Sequence, residues 1–316
     1  MALVRIPAAY FGSVLGLAGL GGAWRWAHLA WGLPAVVGEG LMLLASVVWL
    51  ALLVLYAAKW LVDRAAAMEE ARHPVQCCFI GLVGVATMLV AGAAVPHAPR
   101  VAEGLLIAGA AFTLAFAVWR TGGLWQGERD EGATTPVLYL PAVAGSFVTA
   151  VVAAALGRAD WARLAFGAGV FAWLAIESVL LRRLYNGPAL PPPLRPTLGI
   201  QLAPPVVGAV AYLGVNGGRP DLVAYMLVGY GLLQALVLLR LAPWILKQPF
   251  GPGYWAFTFG ATALAAAPLR MVAAGDQGPM AVLAPILFAG ANLLVGIVAL
   301  GSVYLVGRRV FSRPIA

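Results

Sequence analysis

LMLLASVVWLALLVLYAA, residues 41–58, contains no charged side chain. An α-helix of roughly 20 such residues spans the ~30 Å hydrocarbon core of a bilayer. A helix that is apolar on every face needs either a large protein core or lipid around it. Residues 79–98, 136–157 and 280–307 also lack Asp, Glu, Lys and Arg. The chain as a whole is 62% hydrophobic and 10% charged, with a mean hydropathy of +0.91. A soluble domain carries about 25% charged residues, so this chain cannot cover a globular surface with polar groups. The fold class is therefore all-α and integral to a membrane.

Working outward from these runs, breaks fall at charged, Pro/Gly and Asn-Gly clusters. They divide the chain into ten expected transmembrane helices at roughly 8–27, 34–62, 75–94, 101–120, 137–157, 161–184, 197–215, 221–246, 253–273 and 279–306. Residues 1–316 read as one transmembrane domain with no soluble domain. The amino-terminal stretch, Arg5 before an apolar run, imitates a secretory leader. It lacks a small-x-small cleavage site before a polar mature sequence and is expected to remain as the first span. Ten spans put both termini on one side. That side collects 14 of the 20 Lys and Arg residues and the other collects 6. The positive-inside rule then places both termini in the cytoplasm. The net charge of +8 is read as this topology signal and not as a nucleic-acid surface, because no basic stretch interleaves with aromatics. Cys77 and Cys78 are adjacent, have no metal-ligand spacing and are read as small buried hydrophobes.

Odd and even spans differ in composition. The odd ones hold FGSVLGLAGLGG (11–22), FIGLVG (79–84), LPAVAG (140–145), LAPPVVGAV (202–210) and FTFGATALAAAP (257–268), while the even ones are bulkier. Glycine and proline centres recur about every two spans, as stacked equivalent units do. The expected unit is a helical hairpin used five times. Small residues at helical spacing either pack helices tightly or surround a central path, and the residues alone leave both open. On the second reading Gly12, Gly16, Gly81, Gly84, Pro141 and Gly145 line that path. So do Pro204, Pro205, Gly208, Thr262 and Ala263.

Ionisable groups inside a membrane are costly and default to functional candidates. Glu177 and Arg240 lie within the sixth and eighth spans. Two structural explanations, mutual pairing or snorkelling, are weighed against a coupling-proton site at Glu177. Glu39 and Glu103 open the second and fourth spans, where a carboxylate suits a helix amino end. Gln201 is the one strongly polar long side chain in the interiors of the odd spans. His28, His73 and His97 sit near span ends. No HExxH, GxSxG, GxxxxGK[ST] or paired carboxylates occur, so neither an enzyme nor a cofactor is expected.

YFGSVLGLAGL (10–20), YLPAVAGSF (139–147), FGAGVFAWLAIESVLL (166–181), LAPPVVGAVAYL (202–213), GYGLLQALVLLRLAPW (229–244) and WAFTFG (255–260) together resemble the TehA-type tellurite-resistance and dicarboxylate transporter family. That family also holds the slow-type anion channels of plant guard cells and yeast malate and sulfite exporters. The resemblance covers nearly the whole chain. It implies five helical hairpins in pseudo-fivefold arrangement, with odd helices around a central pore in each protomer of a homotrimer. It implies conduction of small inorganic anions, occlusion of the pore by Phe259, and reception of that ring by Gly12. Phe257 and Phe259 are about 200° apart on a helix, and periodicity does not choose between them; the resemblance chooses Phe259. Val14 and Gly84 stand where the family often has proline. An uncharged pore is expected to favour easily dehydrated anions, iodide and nitrate over chloride, with Arg5 at the inner mouth and Arg25 and Arg270 at the outer one raising the local potential. The rival expectation is a carrier exporting oxyanions or dicarboxylates such as tellurite, sulfite or malate.

Overall fold

A computed structural model describes residues 6–127 and 130–311, except for the side chains of 308–311. Arg5, Arg129 and Arg313 lie outside the described residues, as do the side chains of Arg308 and Arg309. No strand occurs among the described residues. The α-helices are α1 (Gly12–Trp31), α2 (Ala35–Val62), α3 (Arg64–Arg72), α4 (Leu82–Ala94), α5 (Pro99–Trp125) and α6 (Gly145–Ala155). They continue as α7 (Ala159–Asn186), α8 (Ala203–Val215), α9 (Leu222–Ile245), α10 (Thr258–Ala273) and α11 (Pro279–Phe311).

Among the described residues, nine helical segments are long and apolar enough to cross a membrane. Four of them are composite. Tight 3₁₀ turns run into α4 from Gln76, into α8 from Pro192 and into α10 from Pro252, and a π turn at Leu140–Ala144 runs into α6. Proline explains much of this. Pro136, Pro141, Pro192, Pro196 and Pro252 have no N–H to donate and clash with a regular preceding turn, so the backbone takes other hydrogen-bonding spacings. The remaining expected span, 8–27, corresponds to α1, which is 20 residues long but is not among the nine. Its five glycines (Gly12, Gly16, Gly19, Gly21, Gly22) together with Arg25 and His28 dilute its hydropathy.

Burial alternates along the chain. The segments ending in α4, α6, α8 and α10 are 78%, 67%, 72% and 61% buried, whereas α2, α5, α7, α9 and α11 are 22–28% buried. α1 belongs with the first set, with Val14, Leu15, Leu17, Ala18 and Leu20 all enclosed. Each enclosed helix packs against the one that follows it, α3 aside: α1 on α2, α4 on α5, α6 on α7, α8 on α9 and α10 on α11. The enclosed helices also contact one another in cyclic order, α1 to α4, α6, α8, α10 and back to α1. The remaining helices turn apolar side chains such as Leu43, Leu114, Phe171, Leu239 and Leu300 outward. Such surface is stable against lipid and not against water.

At the amino ends of the enclosed helices, the short polar helix α3 is capped by Asp63, whose side chain accepts from Ala66 N–H. Its Glu70 is buried. It accepts from Lys59 Nζ at 2.7 Å, from Ala8 N–H at 2.7 Å and from Tyr56 O–H at 3.3 Å. Three elements are thereby tied at one carboxylate. Cys77 and Cys78 are both buried.

Candidate functional site

Two cavities lie among the enclosed helices. The first sits at their amino ends and measures ≈ 60 Å³. Gly12, Phe79, Tyr139, Pro204, Trp255 and Phe259 are among the residues that wall it. The second sits at their carboxy ends and is wider, ≈ 430 Å³. Its wall includes Gly22, Arg25, Gly92, Ala155, Gly214 and Arg270. Since all five enclosed helices present amino-end residues to one cavity and carboxy-end residues to the other, they run parallel. Val207 and Phe259 are the two residues common to both walls. Phe259 is half-buried, and its ring stands at the junction of the cavities.

Phe257, two residues earlier, has a different environment. Its ring stacks near Tyr254, with centroids 6.4 Å apart, and lies over Gly199. A Cβ at Gly199 would meet Phe257 Cγ at 2.7 Å, so this ring packs on bare backbone.

The charged residues sort into neutralised and solitary groups. Arg25 is bidentate on Glu39, with Nε to Oε1 at 2.7 Å and Nη2 to Oε2 at 2.9 Å, and Glu39 also holds His97 at 2.8 Å. Glu103 pairs with Arg158 at 2.6 Å. These carboxylates do more than suit a helix amino end. Arg270 forms no ion pair among the described residues. Its guanidinium lies 4.7 Å from the centroid of the Trp26 ring, and Nη1 makes one long bond to the Val210 carbonyl at 3.4 Å.

Glu177 is buried behind the wall of the amino-end cavity. Four donors converge on its carboxylate: Tyr139 O–H, Trp173 N–H at 2.8 Å, Gln201 N–H at 2.9 Å and Tyr230 O–H at 2.6 Å. Gln234 donates in turn to Tyr230 at 2.7 Å. The group joins α7, α9 and the turns leading into α6 and α8, and Tyr139 belongs to the cavity wall itself. The structure does not pair Glu177 with Arg240, which is exposed on α9.

A sequence profile of the SLAC1 family, described as voltage-dependent anion channel, matches residues 5–303. The chain belongs to the SLAC1 family. It is 38% identical over 302 residues to the tellurite resistance protein TehA homolog of Haemophilus influenzae, an alignment covering 95% of this chain and 90% of that one. It is 23% identical to the S-type anion channels SLAH2 and SLAH3 of Arabidopsis thaliana over 285 and 307 residues, spanning about half of each, 53% and 47%. Membership, with nine membrane-length apolar helices among the described residues, makes it an integral membrane protein of an anion-transport family.

In this SLAC1-family chain the expected lining divides. Gly12, Pro204, Ala263 and Phe259 reach a cavity. Gly16, Gly81, Gly84, Gly145 and Gly208 instead receive side chains of neighbouring elements. A Cβ on Gly16 would meet Thr258, on Gly81 Phe116, on Gly84 the Gly109 carbonyl, on Gly145 Thr113 and on Gly208 Phe147. Pro141, Pro205 and Thr262 are buried off both cavities, and Thr262 donates to the Phe259 carbonyl at 3.0 Å. The reason is physical: close helix approach consumes many of the small faces, so these glycines meet neighbouring helices and not a cavity. Gly12 does not receive the Phe259 ring. Its one neighbour within Cβ contact is Trp255, whereas a Cβ on Gly19 would lie 3.2 Å from Phe259 Cδ2. The Glu177 donors were missed in sequence apart from Gln201, whose isolation in an apolar span was the available signal.

Proposed function

We propose that the chain is an anion channel in which Phe259 occludes a pore running through each protomer. The observation that carries this reading is the position of Phe259 between two cavities, one at each end of the same helices. On this reading α1 is the first of ten spans, and the chain is a single transmembrane domain of five helical hairpins in pseudo-fivefold arrangement. The amino ends of the enclosed helices face the cytoplasm, with both termini, in a bacterial inner membrane. The relatives' names, a tellurite resistance protein and S-type anion channels, support anions as cargo, and a homotrimer remains the expected assembly.

An apolar constriction blocks ions by dewetting and by offering nothing in place of lost hydration. Displacing one ring opens it, and an off-rotamer side chain costs about 0.5–1.5 kcal/mol, within reach of a small helix shift. Five parallel helices direct their positive dipole ends at the amino-end cavity, which favours anions over cations there. Because the constriction carries no charge, small monovalent anions that dehydrate easily pass best, nitrate and iodide ahead of chloride.

A carrier of oxyanions or dicarboxylates is the second reading, favoured by one observation: Glu177, a buried carboxylate, shares a hydrogen bond with the cavity-wall residue Tyr139. The test is voltage-clamp current for wild type and Phe259→Ala in planar bilayers, with chloride replaced by nitrate and then gluconate. A near-silent wild type and a large anion-selective current in the variant are expected. Equal, negligible currents overturn the channel, and tracer flux across a pH gradient with Glu177→Gln then tests the carrier.

A further inference from the structure

The carboxy-end cavity poses an electrostatic problem for any anion. The enclosed helices run parallel, so their carboxy ends converge there, and each carries about half a negative charge. The cavity wall contains two charged side chains, Arg25 and Arg270. Arg25 is already committed. Besides the bidentate bond to Glu39, its Nη1 donates to the Gly92 carbonyl at 3.0 Å and its Nη2 to the Ala93 carbonyl at 2.9 Å. It neutralises Glu39 and satisfies the end of α4, and four of its five N–H donors are taken.

Arg270 is different. It has five N–H donors and one long bond, to the Val210 carbonyl. Trp26 covers a face of the guanidinium, which a cation–π contact does without using the in-plane hydrogens. The N–H edge stays available in a cavity otherwise walled by residues such as Val148, Val152, Ala263 and Phe259.

We propose that Arg270 is an anion-binding residue of the carboxy-end cavity that prefers planar oxyanions, of which nitrate is the small inorganic example, over chloride. A guanidinium fork bonds two oxygens of a flat anion at once. Chloride offers a single centre and takes only the point charge, which a lysine would supply equally well. The inference deepens the conduction reading and rests on it for its use in transport, but the binding chemistry stands apart from conduction.

The purified protein in detergent is titrated with sodium nitrate, then sodium chloride, against sodium gluconate at constant ionic strength, following the thermal unfolding midpoint. A ligand that binds the folded state raises this midpoint by mass action. In wild type nitrate is expected to act at lower concentration than chloride. Arg270→Gln should raise the half-maximal nitrate concentration about tenfold, as loss of a paired charge-assisted contact does. Arg270→Lys should keep the chloride response and lose the nitrate preference. Arg158→Gln, which breaks the pair with Glu103, should alter neither. If Arg270→Gln is too unstable to titrate, Arg270→Lys carries the test, because it keeps the charge. A nitrate response unchanged in the Arg270 variants overturns the proposal. In a Phe259→Ala background, Arg270→Lys should lower the nitrate-to-chloride permeability ratio. No current in that background, with an Arg270-dependent nitrate response, overturns conduction and leaves the binding residue standing. Current with an unaltered ratio and an unaltered titration removes Arg270 and leaves conduction.

Discussion

A Cβ on Gly19 would stand 3.2 Å from Cδ2 of Phe259 and 2.2 Å from Oγ1 of Thr262. The ring at the junction of the two cavities is therefore seated against bare backbone of α1, and the α1–α10 spacing depends on that glycine. Val14, earlier in α1, is fully buried.

Gly19→Ala is expected to push Thr262 and the ring away from α1. The extra methyl in a filled contact should cost about 1–3 kcal/mol, read as a lower unfolding midpoint in detergent. Basal anion current should rise at the same time, because the displaced ring no longer closes the junction. Adding Thr262→Ala removes the worst clash, and the double variant should recover about 1 kcal/mol and most of the closed state. Stability loss without any change of current would separate the α1 contact from gating.

Phe257→Ala and Phe259→Ala should part company. Phe257 fills space over Gly199 and stacks near Tyr254. Its truncation is expected to lower stability by about 3 kcal/mol with little current. Phe259 faces cavities on two sides, so its truncation should cost less stability and release a large current. Paired melting and bilayer recordings check both halves, and equal currents from the two variants would contradict the assignment of the gate.

The Glu177 carboxylate accepts four hydrogen bonds. Glutamine in its place has one acceptor oxygen and turns an NH₂ toward donors. Glu177→Gln should therefore destabilise by about 3 kcal/mol or more, while Tyr230→Phe, which deletes one donor, should cost about 1–2 kcal/mol. The channel reading adds that flux through Phe259→Ala/Glu177→Gln has the same pH dependence as through Phe259→Ala. A pH dependence abolished by Glu177→Gln would favour the carrier.

How much of this was legible beforehand depends on the kind of interaction. Uncharged runs placed the membrane segments closely: 34–62 was expected where Ala35–Val62 is found, and 279–306 where Pro279–Gly307 is found. The small-residue repeat foreshadowed the alternation of enclosed and outward helices. It did not reveal which face of a glycine-rich helix meets a neighbour. Hydropathy is nearly uniform around a membrane helix, and a glycine serves a lumen or a close contact equally well, so Gly16 and Gly84 read the same in sequence as Gly12. Pairs far apart in the chain left no local trace either. Glu39 with Arg25 and His97, and Gln201 with Glu177, became visible only once the helices were assembled.

Lys59 and Glu70 give the last prediction. Their side chains are 5% and 7% exposed and 2.7 Å apart, and Glu70 also holds the backbone of Ala8, next to the cavity-wall residue Ala9. Removing one partner of a buried pair strands the other charge, at about 3–5 kcal/mol. Lys59→Met should therefore lower the unfolding midpoint markedly, and Lys59→Met/Glu70→Gln should lower it less, because the neutral amide keeps an acceptor for Ala8 N–H without an uncompensated charge. Glu70→Ala removes the tie to Ala8 altogether. It should loosen the start of α1 and expose its amide hydrogens to exchange near residues 8–12, while exchange in α10 is unaffected. Protection at Ala8 equal to wild type in Glu70→Ala would show that the amino end of α1 is held by packing alone.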